Sequence, residues 1–236
     1  MPGPVALVGS GEYLPVMAEV EAALLAGRPA RYVQLPTAAA QEGAGSIARW
    51  VSLGAEQAVR LGVEAVPLMV LDRQSADDES LAAQIAGAGL VYLSGGSPSY
   101  LVDTLRDTRV WAGIVAEWQR GAALAGCSAG AIALSSWVPD IRRPEAEARA
   151  GLGVVPRMRV IPHFDRLRSW RPEMAEAVAA RTPSGTVVVG IDEETAVVSD
   201  GADLDRWVVH GRQAAWVFTA GERREHRAGD TIVLTR

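Results

Sequence analysis

"AALAGCSAGAIAL", residues 122–134, decides how this chain is read. A run of small apolar residues meets Gly126-Cys127-Ser128-Ala129-Gly130, and a second apolar run follows. The five central residues are G-x-S-x-G, the pattern of a strand that turns sharply into a helix with a serine at the apex. Small flanking residues suit that junction because its backbones approach closely. The apical side chain projects from the turn, and the N-terminus of the following helix favours negative charge developing beside it. Ser128 is therefore the candidate nucleophile, and the Ala129 N–H a candidate oxyanion donor. Cys127, the chain's one cysteine, stands one position off the apex and is expected to point elsewhere as a small buried side chain.

Upstream, apolar runs alternate with helical spacing. "VALVGSG" (5–11), "ARYVQLPTAA" (30–39), "VEAVPLMVL" (63–71) and "LVYLSGG" (90–96) read as strands. "YLPVMAEVEAALLAG", "GSIARWVSLGAEQAVRLG", "DDESLAAQIAGAG" and "SYLVDTLRDTRVWAGIVAEWQRG" read as helices, the last in one or two pieces. Strands alternating with helices imply an α/β fold with a doubly wound, mostly parallel sheet flanked by helices. In such sheets the carboxyl ends of the strands form the site. The glycine-rich ends at 9–11, 95–96 and 126–130 are then expected on one rim.

After Ser136 the pattern loosens. "VPDIRRPEAEARAG" is charged and reads as an exposed loop or short helix. "MRVIPHF" reads as a strand, "RPEMAEAVAAR" as a helix and "TVVVGIDEETAVVSD" as a strand pair. The tail from Arg206 alternates by twos between glycine turns, the pattern of a C-terminal antiparallel β meander. No repeat or linker interrupts residues 1–236, which are read as one domain.

Composition removes several functions. The 236 residues carry a net charge of −5 with scattered basic residues, which argues against a nucleic-acid partner. No apolar run is long enough to span a bilayer, and the start lacks a signal-peptide pattern, so a cytoplasmic protein is expected. The sequence contains neither lysine nor asparagine. A Schiff-base lysine, a Ser–Lys dyad, a Walker lysine and a Cys-His-Asn arrangement are thereby excluded. No metal or organic cofactor is expected. The tryptophans and the β tail suit a homodimer or a core equally.

A serine hydroxyl needs a base, and with no lysine the histidines lead. His210 falls at a hairpin turn and His226 in a charged tail strand. His163 ends the apolar strand of "RVIPHFD", on the rim expected for Ser128. The acid that would orient its ring comes from one of two regions. "VVVGIDEETAVV" ends a strand with Asp192, Glu193 and Glu194, which a hairpin turn would also use. Asp140 follows the helix after Ser128. Glu193 is preferred.

Together these segments resemble peptidase family S51, the serine peptidases that include cyanophycinase and peptidase E. "VGSGEY", "YLSGG", "GCSAGA", "IPHF" and "GIDEETA" match its motifs in order along almost the whole chain. The resemblance implies a class I glutamine amidotransferase-like fold. It implies Ser128 as nucleophile, His163 as base and, from the "IDE" segment of the cyanophycinase branch, Glu193 as acid. It also implies oxyanion donors from Gly96 and Ala129. In the peptidase E branch the acid is instead an aspartate after the nucleophile, which Asp140 only approximately matches. Arg166, Arg168 and Arg171 reproduce an R-x-R-x-x-R pattern that would bind an acidic or β-aspartyl peptide. Pro98 and Ile161 replace a polar and an acidic residue of the cyanophycinase branch, which points to a small peptide other than cyanophycin. A non-catalytic amidotransferase-like domain that binds a ligand or partner is the rival reading.

Overall fold

The upstream apolar runs become the middle of a large sheet in the computed structural model, which describes residues 1–139, 148–171, 173–219 and 222–234. Strands β1 (Val5–Val8), β2 (Arg31–Leu35), β3 (Glu64–Pro67), β4 (Leu90–Leu93) and β5 (Ala123–Cys127) pair in parallel, in the order β1-β5-β4-β2-β3. Every residue of β1, β4 and β5 is buried, which is why these strands read as unbroken apolar runs. Successive residues still go to opposite faces. Leu7, Val33, Leu93 and Leu124 enter one core, while Ala6, Tyr32, Tyr92 and Ala125 enter the other. β3, expected to run to residue 71, stops at Pro67 on the sheet edge, where a residue without an N–H is tolerated.

Helices α1 (Ala18–Leu25) and α2 (Ala44–Leu61) cover the second core through Val20, Leu24 and Ala58. After the short α3 (Arg73–Ala76) and α4 (Glu79–Ala83), helices α5 (Pro98–Leu105), α6 (Arg109–Arg120) and α7 (Ala129–Leu134) cover the first. The long helical stretch after β4 is in two pieces because Asp107 takes φ 58° and the Thr108 side chain caps α6 at the Trp111 N–H. Among the described residues no helix is long and apolar enough to cross a membrane.

The second half departs from a simple meander. β6 (Trp137–Val138) pairs with β7 (Arg149–Ala150). Residues 140–147, with Asp140 and most of the expected charged loop, lie outside the described residues. β8 (Met158–Ile161) leads into α8 (Phe164–Trp170) and α9 (Met174–Ala180). β9 (Val187–Ile191) then lies parallel to β8. β10 (Thr195–Asp200) and β11 (Asp203–Gly211) extend the large sheet beyond β1, with β14 (Thr231–Val233) at its edge. β12 (Ala214–Thr219) and β13 (Glu222–Arg227) join β9 and β8 in a separate four-stranded sheet. The antiparallel tail is thus divided between two sheets. The expected strand pair β9 and β10 is divided as well, so residues 192–194 cross from one sheet to the other rather than forming a hairpin.

Candidate active site

The site begins at the junction of β5 and α7. Ser128 has φ 50° and ψ −106°, a conformation that L-residues rarely hold, and its N–H donates to Val8 O at 2.9 Å. A Cβ at Gly126 would lie 2.5 Å from the Gly130 carbonyl carbon, and one at Gly130 would lie 2.2 Å from Leu93 O. Both glycines of the motif are therefore required by close backbone approach, which is what the sharp turn demands. Cys127 and Ala129 are buried, and Ser128 between them is partly exposed.

His163 follows β8 and begins α8 in a left-handed conformation, φ 48°. Its N–H donates to Gly9 O at 3.3 Å, which ties it to the end of β1. Glu193 lies on the crossing between the sheets. That crossing is anchored on both sides, by Gly9 N–H to Thr195 O at 2.9 Å and by Glu194 N–H to Ser10 O at 3.0 Å. The Glu193 N–H donates to the Asp165 carboxylate at 3.0 Å. The strand ends at Gly9–Gly11, Gly95–Gly96 and Gly126–Gly130 do share one rim.

These elements bring three side chains into line. Ser128 Oγ lies 3.0 Å from His163 Nε2, and His163 Nδ1 lies 3.0 Å from Glu193 Oε1. A ring protonated at Nδ1 would donate to Glu193 and accept from the serine hydroxyl, a chain that moves a proton off Oγ. The His163 side chain is 41% exposed and that of Glu193 26%, so the relay is open to solvent. Among the described residues the Gly96 and Ala129 N–H groups have no protein acceptor. Of the five non-glycine residues with positive φ among the described residues, Tyr13, Ser128, His163 and Glu194 belong to the rim or its neighbours. Backbone strain gathered at one place is a signature of a functional site.

Other candidates fall elsewhere. His210 and His226 lie on β11 and β13, where burial pulls both imidazoles below their ordinary pKa. The arginine motif is dispersed. Arg166 Nε faces Glu193 Oε2 at 3.4 Å, and Arg168 lies over the Trp216 ring at 4.5 Å. Arg171 is exposed just beyond α8. Residues two apart on a helix point about 200° apart at 100° per residue, so Arg166 and Arg168 could not share a face once α8 formed.

The sequence reading assigned no role to Glu12 of "VGSGEY" or to Asp165. Asp192 is buried beside Glu193 and accepts from the Trp216 indole and the Ala214 N–H, each at 3.3 Å. Burial pushes its carboxyl above the ordinary aspartate range. Asp192 therefore holds the small sheet to the crossing, and Glu193 alone of the three acids faces the imidazole. Among the described residues no cluster of three His, Cys, Asp or Glu side chains is placed to hold a metal.

An α/β sheet with a serine at a strand–helix apex and a histidine against it is an arrangement found among hydrolases. The model of peptidase family S51 matches residues 5–207, and the chain belongs to that family. It is similar to the crystal structure of a peptidase from an acI-B1 Actinobacterium, with 40% identity and a TM-score of 0.90. The match covers 99% of this chain and 97% of that one. It also shares its fold, at 15% identity and a TM-score of 0.61, with a candidate peptidase E protein from Listeria monocytogenes EGD-e. There the coverage is 97% of this chain and 100% of the other. No curated protein matches the sequence.

Proposed function

We propose that the chain is a serine peptidase that cleaves small peptides through a Ser128–His163–Glu193 triad. The observation that carries this is the pair of 3.0 Å contacts on either side of the His163 ring. Ser128 Oγ attacks the scissile carbonyl as Nε2 takes its proton, while Glu193 accepts from Nδ1–H and stabilises the imidazolium. The resulting oxyanion is met by the free N–H groups of Gly96 and Ala129. Collapse breaks the C–N bond, and His163 passes its proton to the departing amine. Water, deprotonated by the same ring, then cleaves the Ser128 ester and restores the enzyme.

The substrate is a small peptide with an acidic residue at an aspartyl or β-aspartyl linkage. Exposed Arg166, whose Nε lies 3.4 Å from Glu193, offers a guanidinium fork beside the triad, and such forks pair well with carboxylates; Arg171 is exposed at the far end of α8. Arg168, committed to the Trp216 face, contributes by fixing α8.

A fluorophosphonate probe is expected to label the folded protein at Ser128, with labelling lost in Ser128→Ala. A folded protein that does not label returns the chain to the non-catalytic binding reading. A panel of dipeptides with α- and β-aspartyl bonds, set beside neutral dipeptides, tests the substrate. Faster turnover of the neutral set overturns the acidic preference.

A further inference from the structure

Glu12 takes no part in the relay, yet it is only 8% exposed. A carboxylate removed from water must find donors. Its Oε1 accepts from the Gly95 N–H at 3.0 Å, and its Oε2 accepts from the Cys127 thiol at 2.8 Å. Gly95 precedes Gly96, and Cys127 precedes Ser128 and Ala129. Glu12 itself stands on the loop after β1. One carboxylate therefore spans the ends of three strands, two of which carry the proposed oxyanion donors.

We propose that Glu12 is a positioning residue that holds the Gly95–Gly96 turn and the Ser128 junction in the register where the Gly96 and Ala129 N–H groups converge. This rests on the serine-peptidase reading above. The restraint is needed because two adjacent glycines have no side chains to fix them, and Gly96 adopts φ 136°. The Glu12 bond fixes the peptide plane entering Gly95, and the next plane carries the Gly96 N–H. The fit behind that plane is tight, since a Cβ at Gly96 would lie 2.3 Å from Ala38 O. In front, a Cβ at Gly95 would meet Glu12 Oε1 at 2.8 Å and lie in ordinary contact, 3.6 Å, with Ser128 Cβ, so the turn sits directly against the nucleophile. Any drift of this turn is therefore a drift against the nucleophile.

The same contact explains why a cysteine stands beside the serine. Cys127 is fully buried, and burial followed by the Glu12 charge pushes its thiol well above the ordinary range. It stays protonated, as a donor to Glu12 and not a nucleophile.

The test measures fluorophosphonate inactivation in the full-length chain, separating the bound-state rate (kinact) from probe affinity (Ki). Removing one oxyanion donor outright costs about 10²–10³ in rate, so losing the anchor of one is expected to cost about 10–100-fold. Glu12→Ala should lower kinact by that factor with Ki unchanged. Glu12→Gln, whose amide oxygen can still accept from Gly95, should recover most of the loss. The pH profile of kinact should keep its wild-type shape, because the base is untouched. A folded Glu12→Ala protein with wild-type kinact overturns the role, and so does an altered pH profile. If Glu12→Ala does not fold, Glu12→Asp decides, since its shorter reach cannot hold both donors. A wild-type kinact there overturns the proposal, and a loss of about tenfold sustains it. A wild-type protein that is folded but unlabelled at Ser128 fails earlier, and overturns the peptidase reading together with this one.

Discussion

Ser128 is held by three parallel strand ends inside the larger sheet, whereas His163 and Glu193 hang from α8 and from a crossing between two sheets. On the first side the neighbours are fully buried, with Cys127 at 0% and Ala129 at 1% exposure. On the second the His163 and Glu193 side chains are themselves partly exposed, and a few backbone bonds to Gly9 and Ser10 fasten them to the rim. The packing that places the serine is also the packing that forms the core. The proposed base and acid are placed by a seam that contributes little to that core. Substitutions in the packing around Ser128, as distinct from its own hydroxyl, should therefore show in stability, and substitutions at the seam should show in rate.

The proposed triad gives the strongest way to break this contrast. Ser128→Ala and His163→Ala are each expected to lower kcat by about 10⁴-fold or more, and the double variant by no more than either alone, because the groups act as a unit. Their melting temperatures should stay near wild type. Additive losses would mean that the two side chains do not share one step. Glu193→Gln comes next. An amide cannot stabilise the imidazolium and favours the wrong tautomer, so a loss of about 10³–10⁴ in kcat at nearly constant KM is expected. Full activity in that variant, measured on the same peptide, would move the acid's role to another residue.

The two sides were also unequally legible in the sequence. The serine side could be read because each of its signals is local. Apolar runs ending in glycine gave β1, β4 and β5, and parallel pairing placed their ends on one rim. The seam was harder. Period-two alternation is identical for a strand in either sheet, so the tail's pattern could not say that β11 and β12 part company across Arg212–Gln213. It also left residues 192–194 readable as a hairpin turn, when they are a crossing. Arg166, Arg168 and Arg171 looked like one binding set until α8 gave them different directions. Glu12 was visible as an acid after a glycine turn, but its partners come from residues 95 and 127, and no local pattern announces contacts that distant.

A pair of glycines sharpens the contrast at a smaller scale. At Gly130 the obstacle to a Cβ is the Leu93 carbonyl oxygen, at 2.2 Å, and backbone cannot step aside. At Gly190 the obstacle is the base of the buried Phe164 ring, at 2.5 Å, a side chain that can give way by moving the start of α8. Gly130→Ala is expected to cost about 2–4 kcal/mol in denaturant unfolding, and Gly190→Ala about 1–2 kcal/mol. Phe164 follows His163 directly, so Gly190→Ala should lower kcat out of proportion to its effect on stability. Equal stability losses, with activity kept in Gly190→Ala, would erase the distinction between the two sides.

The last comparison concerns a buried acid under each side. Asp192, beneath the seam, has the Trp216 and Ala214 donors. Glu21, beneath the serine side, is 2% exposed, and among the described residues neither of its oxygens has a hydrogen-bond partner. Burial pushes its carboxyl up to about 7, against the influence of nearby Gln57, Tyr32 and Arg60. A carboxyl raised in the folded state holds its proton longer there than in the unfolded chain, so folding loses stability as pH rises from the ordinary value of 4.5 to about 7. Over that interval, at about 1.4 kcal/mol per pH unit, the loss reaches roughly 3 kcal/mol. Glu21→Gln has no proton to lose. Its stability relative to wild type should rise through that window and level off above it, giving several degrees in melting temperature at pH 8 and little difference at pH 4. Parallel melting curves for the two proteins across the range would mean that Glu21 is already ionised in the fold, and that the serine side tolerates an unpaired charge which its dry packing should forbid.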